Sequence, residues 1–599
     1  MLAQIEIYPI VKTNAFSGEH AVARTKEDTP ISMPFWDDFS APANTGELWS
    51  LYTSVWINQG MAIDAPTFNV ATFDGLDASG IPYSSGPSQN LDYGFTDSLV
   101  SRKIKMTEVP LFERNSVFLS FYYQWSGNGE APDANDFLVL ELLNNTGTWE
   151  PAVILQSDVD QEPDQFYPMT VRINQEDYYH DDFQFRFRSF GRRSGRYDTW
   201  NIDYVYLNKG RNETDLDAGF PDRAVFRFLS PLFGAYYAMP MNHFRTDPQG
   251  NTGLPSFGIS NVSSIPQPMN YTVNARITQF DNGSSSVQTQ NVTSAEPVLP
   301  SVVGFEKRVI EMTKKPNFVP FVTADSLAVN YTLILVTGDS INTGYEPIDF
   351  HINDTIRQDF VLKDYYSYDD GAAEYAAGLT QTGNQVAYRF IAQSKDTLNG
   401  VYVHYPYTAG ASATTVTFTV WDNQNGLPGG ELVEELVPVQ QSGNNEFVVR
   451  PFIQSVIVSD TFYIGWRQPA TGRVQVGLDA SNDTGDQMYI NTNGSWVQNT
   501  LVRGSLMIRP RFGPGDVITS AGEELKASPL YPNPSHGIFY TDRKITDMHI
   551  YSSTGQMVTF ETEPEGDKTM VKVNNPSPGL YILRYKIGLT VRTEKIIIR

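Results

Sequence analysis

The side chains best able to do chemistry in this 599-residue chain are its carboxylates. Asp74, Asp77, Asp133 and Asp136 lie in one stretch of short apolar runs, with Asp203 in a later run of the same stretch. Asp369, Asp370, Glu374, Asp479, Asp483 and Asp486 lie in another. Calcium takes six to eight oxygen ligands from carboxylates and carbonyls in loops, so strand-end acids of this kind are candidate calcium ligands. The competing reading of each is a turn or capping group, because aspartate bonds its own backbone in turns. Catalytic templates are missing. There is no Gly-x-Ser-x-Gly elbow, no His-Glu-x-x-His and no Gly-Lys dipeptide, which removes the serine-hydrolase elbow, the zincin helix and the P-loop. With 68 Asp and Glu a facing glycosidase pair has many possible members and no spacing that singles one out. His180 beside Asp181-Asp182 has the composition of a base with an orienting acid, weighed against a solvated loop ahead of the strand at 183. Nine tryptophans could offer stacking platforms to a sugar; most belong in a core, and Trp496, in Asn493-Gly494-Ser495-Trp496, is the most loop-like.

The bulk properties narrow the classes. The formal net charge is −25, against the dense Lys/Arg that phosphate binding requires, so nucleic acid is not a partner. The imbalance is uneven: residues 530–599 carry nine Lys/Arg and seven Asp/Glu, a basic tail on an acidic body. With 0 Cys, disulfides, thiol catalysis and cysteine zinc sites are excluded. The 7 His show no helical ligand pair. No run of eighteen apolar residues exists for a membrane-spanning helix. Met1-Leu2-Ala3-Gln4 lacks a basic and an apolar leader region, and Leu2-Ala3 is expected to be the stub of a signal peptide cut near Gln4.

The elements that must position these residues are strands. Period-two alternation recurs in 117–123, 183–188 and 415–421, while no long helical stripe is found. Asn425-Gly426 and Pro428-Gly429-Gly430 are expected to be tight turns. The fold class is all-β: tandem β-sandwich or jelly-roll domains followed by a small immunoglobulin-like β-sandwich. The expected divisions are an N-terminal segment 1–29, a first jelly roll 30–209, an immunoglobulin-like sandwich 218–362, a second jelly roll 365–513, a polar linker 514–528 and a terminal domain 529–599. The order Pro34-Phe35-Trp36-Asp37-Asp38-Phe39, Phe121-Tyr122-Tyr123-Gln124-Trp125 and Trp200-Asn201-Ile202-Asp203-Tyr204 resembles MAM-like and laminin-G-like jelly rolls, without the disulfides usual there.

The last seventy residues are a compact code. Tyr531-Pro532-Asn533-Pro534, Gly537, Ser553-Thr554-Gly555-Gln556, Pro578-Gly579-Leu580-Tyr581 and Lys595-Ile596-Ile597-Ile598-Arg599 follow in order. Pro532 and Pro534 remove two backbone donors, so Leu530-Tyr531 is a strand edge or an extended entry, and the glycines mark turns between about seven short strands. This combination resembles the type A C-terminal sorting domain of the Bacteroidetes type IX secretion system. The resemblance carries over to Tyr531, Pro532, Asn533, Pro534, Gly537, Gly555, Gly579, Tyr581 and Lys595 as sorting-motif positions. It implies export through Sec to the periplasm, then across the outer membrane to the cell surface or beyond. It also implies a translocon and its outer-membrane shuttle protein as partners, removal of the domain near 513–530, and attachment to anionic lipopolysaccharide. Ser98, Ser326, Ser340, Thr355 and Thr397 sit in an Asp-Ser/Thr-apolar pattern that resembles O-glycosylation sites of the same bacteria. The function expected is a secreted or surface cargo, non-enzymatic, binding a glycan or protein ligand, with calcium as the one expected cofactor. The alternatives are a secreted hydrolase of polysaccharide or peptide and an accessory component of the secretion or gliding apparatus.

Overall fold

A computed structural model describes residues 5–10, 29–50, 53–77, 80–84, 92–157, 160–281, 283–339, 345, 347–408, 411–443, 445–492, 494–513, 530–531, 535–541, 545–552, 556–565, 568–574, 576–587 and 590–599. The chain divides into two compact units, Met1–Asp281 with Ser285–Asp516, and Val517–Arg599 with Asn282–Ser284. Both are all-β, the antiparallel strand pairs being relieved only by short helical turns such as Pro42–Leu48 and Met241–Phe244.

The larger unit holds three pairs of sheets. In the first, Trp56–Asn58, Val70–Phe73, Trp200–Asn208, Phe118–Trp125 and Tyr167–Arg172 pair in that order, and Phe35–Asp37 joins Trp200–Asn208. They face Tyr93–Val100, Phe185–Arg192, Phe137–Leu143 and Trp149–Gln156. Phe185–Arg192 alternates buried and half-buried along its whole length, the signature of a strand with one face in a core. Trp200–Asn208 is buried on both faces up to its last residue, because a second layer covers its outer side. Trp36, Tyr204, Tyr206, Phe220 and Phe350 form that layer.

The second pair is a three-stranded sheet, Gly219–Arg227, Ser256–Ser263 and Lys307–Glu311, against a five-stranded one. The latter runs Ala238–Pro240, Thr355–Lys363, Ser326–Val336, Asn270–Asp281, Ser284–Pro297, with Ala238–Pro240 parallel to its neighbour. The third is a seven-stranded sheet built around Gln385–Val403 and Val448–Arg467, with a four-stranded sheet beside it. That smaller sheet has Ile5–Pro9 at its edge, paired antiparallel with Tyr375–Leu379. The N-terminal segment thus contributes a strand about 370 residues from its partner, where the sequence had offered only a leader stub; Leu2, Ala3 and Gln4 lie outside the described residues. One continuous core runs through the second and third sandwiches and takes in Ile5, Met61 and Phe68.

The Asn425-Gly426 turn forms as expected: both residues are left-handed, φ 57° and 82°, and join Thr415–Gln424 to Leu427–Pro438. Pro428-Gly429-Gly430 is no separate turn. It lies inside Leu427–Pro438, opposite a bulge at Trp421, where the Gly430 amide donates to Asp422 Oδ1 at 2.5 Å. The missing side chains make room for that carboxylate.

A polar seam joins the first two sandwiches. Asn353 Nδ2 donates to Asp38 Oδ2 at 3.0 Å and to Asp222 Oδ2 at 2.9 Å, and the Tyr204 hydroxyl donates to Asp222 Oδ2 at 2.8 Å. Asp203 accepts from the Thr67 amide at 3.1 Å. Burial, with the Asp38 charge beside Asp203 and the Asp339 charge beside Asp222, pushes the carboxyls of Asp203 and Asp222 well above the usual range, and burial alone raises Asp38.

The smaller unit is two four-stranded sheets. One runs Leu530–Tyr531, Ile538–Thr541, Lys568–Val573, Phe560–Glu565, and the other Met557–Val558, Ile545–Ser552, Gly579–Ile587, Thr590–Ile598. Its core is Phe539, Ile550, Val571, Leu583, Tyr585 and Ile596 among others.

Asn353→Leu leaves two buried carboxyls without their shared donor and is expected to cost about 3 kcal/mol in chemical denaturation. Acids whose folded pKa lies above the unfolded value of about 3.9 contribute stability that is complete below that value and lost as pH rises through the folded one. Burial puts Asp37 at about 7 and Asp354 and Glu374 at about 8. The chelator-treated protein should therefore melt about 3–5 °C lower at pH 8.0 than at pH 6.5 by calorimetry.

Candidate functional site

The structure separates the acid candidates by how their oxygens are occupied. Asp74 faces Arg196, with Nε 3.3 Å from Oδ2, and accepts the Leu76 amide; Asp77 Oδ1 accepts the Ile81 amide at 2.9 Å and closes a turn. Asp369 pairs with Arg509, which is also 3.7 Å from the Phe447 ring centre. Asp370 accepts the Ala372 amide at 2.8 Å, Glu374 the Ala480 amide at 2.8 Å, and Asp479 the amides of Asp370 and Ser481 at 2.9 and 2.8 Å. Burial, with the Asp370 charge beside them, raises the carboxyls of Glu374 and Asp479, yet each is aimed at backbone N–H groups that tie loops together. Asp483 is held below the ordinary range by the amides of Gly485 and Gly504 and by Arg503, which outweigh its burial. Asp486 accepts from Gln487 at 2.7 Å. Their chemistry is that of turn-forming acids.

Asp133 and Asp136 behave differently. They share a tight turn between Phe118–Trp125 and Phe137–Leu143, in which the Asp136 amide donates to the Asp133 carbonyl at 2.9 Å. Across from them stands Asp198, in the loop between Phe185–Arg192 and Trp200–Asn208, and one carboxylate oxygen from each of the three lies within 4.8 Å of the others. Among the described residues this is the one group of three such ligands that converges. Sequence reasoning missed Asp198 because about sixty residues separate it from its partners. Its only local signal is an aspartate in a polar loop at a position where φ is 56°.

His180 does not meet its neighbouring acids. Its Nε2 lies 3.2 Å from the Leu143 carbonyl, while Asp181 accepts from Thr107 and Asp182 pairs with Lys103 at 2.9 Å. His243 is fully buried between the Tyr366 hydroxyl at 2.6 Å and Asp396 at 3.1 Å. Trp496 begins the strand Trp496–Gln498 and is half-buried; its ring stands edge-on to the buried Trp421 at 5.2 Å, so it covers a core aromatic instead of projecting from a loop. Ser98, Ser326, Thr355 and Thr397 are half-buried strand residues, and Ser340 lies outside the described residues.

Between the first two sandwiches lies a cleft of about 420 Å³, lined by Pro66, Tyr122, Phe166, Pro168 and Phe305 with Lys307 at its edge. Phe305 is 48% exposed. The Lys307 ammonium sits 5.6 Å from the Phe166 ring centre.

In the terminal unit the motif residues shape turns. Gly537 has φ +90°, and a Cβ there would meet Pro576 Cγ at 2.7 Å. The Tyr581 hydroxyl donates to the Ser577 carbonyl at 2.9 Å and accepts the Ser577 amide at 3.2 Å, closing the Pro578-Gly579 turn from within the following strand. Ser535 bonds Ile597 and Arg599 through the backbone, both at 2.9 Å. Tyr531 packs on Tyr540 with Lys568 above its ring, and Lys595 is exposed. Pro532, Asn533, Pro534 and Gly555 lie outside the described residues.

Comparison with known proteins agrees with this geometry at one end of the chain. No curated protein matches. Among solved structures, the tandem CBM22-1–CBM22-2 domains of Paenibacillus barcinonensis Xyn10C are 8% identical over 75% of this chain and 98% of that one, at a TM-score of 0.13. Tripeptidyl peptidase 2 is 9% identical over 76% of this chain and 27% of its own, at 0.12. The BSP domain of a biofilm associated protein is 8% identical over 91% and 97%, at 0.13. Superpositions this loose carry no argument about function. Residues 529–599 match the family described as the secretion system C-terminal sorting domain, which supports a type IX secretion cargo exported across the outer membrane.

Proposed function

We propose that this protein is a secreted or surface-held cargo that acts by binding, its terminal unit serving as the export address and its three fused sandwiches as the working part. The observation that carries the reading is the sorting-domain match over 529–599, a region folded as its own two-sheet unit. The terminal unit engages the type IX machinery. The working part binds without breaking bonds. That choice is supported by the absence of a catalytic motif in the sequence and by the histidine contacts above, in which ring nitrogens meet carbonyls and buried partners. The ligand favoured is a glycan. The cleft of Tyr122, Phe166 and Phe305 offers aromatic faces, and Asn261, Asp217 and Lys307 on its walls offer the donors and acceptors that hydroxyls need. We read the first sandwich as a MAM-like or laminin-G-like jelly roll.

Deleting residues 529–599 should leave the remainder in the periplasm, read by fractionation and immunoblot; normal appearance outside the cell would overturn the export reading. Gly537→Ala places a side chain at a left-handed position against Pro576. It is expected to destabilise the terminal unit by about 1–3 kcal/mol and to lower the exported fraction in proportion. On a glycan array, Phe305→Ala should reduce the signal about tenfold while leaving export unchanged. Release of soluble sugar or peptide fragments would instead point to a hydrolase.

A further inference from the structure

Each buried acid of the Asp133–Asp136–Asp198 group has one carboxylate oxygen held by the backbone and the other left without a hydrogen-bond donor. Asp136 Oδ2 accepts the Asp133 amide at 3.1 Å, and Asp198 Oδ2 accepts the Arg192 amide at 2.8 Å. Asp136 Oδ1 and Asp198 Oδ1 are buried and have no hydrogen-bond partner among the described residues. The two residues are 0% and 4% exposed. Leaving a buried carboxylate oxygen unpaired is costly, and two such oxygens facing one another cost more.

The surroundings hold this arrangement open. Asp198 adopts φ 56°, and Gly191 makes room for it: a Cβ at 191 would lie 2.4 Å from Asp198 Oδ2. Arg192 supplies the group's one guanidinium, 2.9 Å from Glu130, 3.6 Å from Asp133 and 3.8 Å from Asp198 Oδ1. Three carboxylates lie within reach of that cation and Asp136 adds a fourth to the group, which leaves room for a dication's charge. The donor set is oxygen only, with no imidazole or thiolate, as hard cations require.

We propose that Asp133, Asp136 and Asp198 bind a calcium ion that ties the Phe118–Trp125 to Phe137–Leu143 loop to the Phe185–Arg192 to Trp200–Asn208 loop. Asp136 and Asp198 are the buried ligands, Asp133 the exposed one, and Glu130 completes the acidic rim. A proton is the competing occupant. Burial, with the Asp198 and then the Asp133 charge, raises the Asp136 carboxyl. Calcium entry displaces that proton, so affinity rises with pH.

The test is calorimetric titration of CaCl₂ into the chelator-treated full chain, at pH 6.0 and pH 8.0, with MgCl₂ as control. We expect one calcium with a dissociation constant of about 10⁻⁴–10⁻³ M at pH 8.0, about tenfold weaker at pH 6.0, and magnesium weaker than calcium. Asp136→Asn and Asp198→Asn should each weaken binding at least about tenfold, and Asp133→Asn, at an exposed position where folding is not at stake, by several-fold. Saturating calcium should raise the melting temperature by about 2–4 °C in the wild type and not in Asp136→Asn. Without calcium, Asp136→Asn should melt no lower than the wild type, since it removes a like-charge repulsion; a purely structural acid would give a lower value. No binding at 10 mM calcium, wild-type affinity in both buried variants, or magnesium binding tighter than calcium would each overturn the proposal.

Discussion

Carboxyl groups removed from water and answered by a few shared donors are the constraint on which the larger unit depends. Asp38, Asp203 and Asp222 are fully or almost fully buried where the first and second sandwiches meet, and one amide, Asn353 Nδ2, serves two of them. An isolated carboxylate in such a place costs several kcal/mol, and the group keeps its proton instead when its surroundings allow. The seam therefore holds the two sandwiches in one relative position: any slip would strand an acid without its donor. The aromatic layer of Trp36, Tyr204 and Phe350, edge-on at 5.4–5.6 Å, supplies the apolar burial around it. The cleft bearing Phe166 and Phe305 lies between the same two sandwiches, so the seam also fixes the distance between its walls.

The acidity of the chain takes several distinct forms in three dimensions. Some acids are paired with arginines, as Glu141 is with both Arg186 and Arg188 at 2.6 and 2.7 Å, which hold it below its usual range despite its burial. Others, such as Asp370 and Asp479, are capped by backbone amides and order the loops at one end of the third sandwich. In the Asp133–Asp136–Asp198 group the backbone amides and Arg192 still leave two oxygens, Asp136 Oδ1 and Asp198 Oδ1, without a hydrogen-bond donor among the described residues. A protein that works outside the cell meets calcium at concentrations that suit a weak, few-ligand site of this kind.

The terminal unit follows a different logic. Those of its motif residues that the structure describes shape the turns and edges of a small sheet pair. Tyr581 reaches back over its own turn to Ser577, and Gly537 takes a backbone conformation that Pro576 would deny to a side chain. A small unit without disulfides depends on such local restraints, because its core among the described residues is only a dozen or so side chains. What another protein reads on it is a surface of strands and turns, held in shape by short-range bonds.

The sequence by itself determined the strand content, the Asn425-Gly426 hairpin and the terminal motif, because alternation, turn chemistry and the sorting pattern are written in neighbouring residues. It could not place Ile5–Pro9 beside Tyr375–Leu379, merge the second and third sandwiches into one core, or join Asp198 to Asp133 and Asp136. It also misread Pro428-Gly429-Gly430 as a turn and Trp496 as loop-borne, since a bulge opposite Asp422 and the covering of Trp421 are set by strands elsewhere in the chain. The division has one cause. Backbone preference acts over a few residues, whereas pairing between distant strands and the sharing of a buried donor depend on which surfaces meet after the chain has folded.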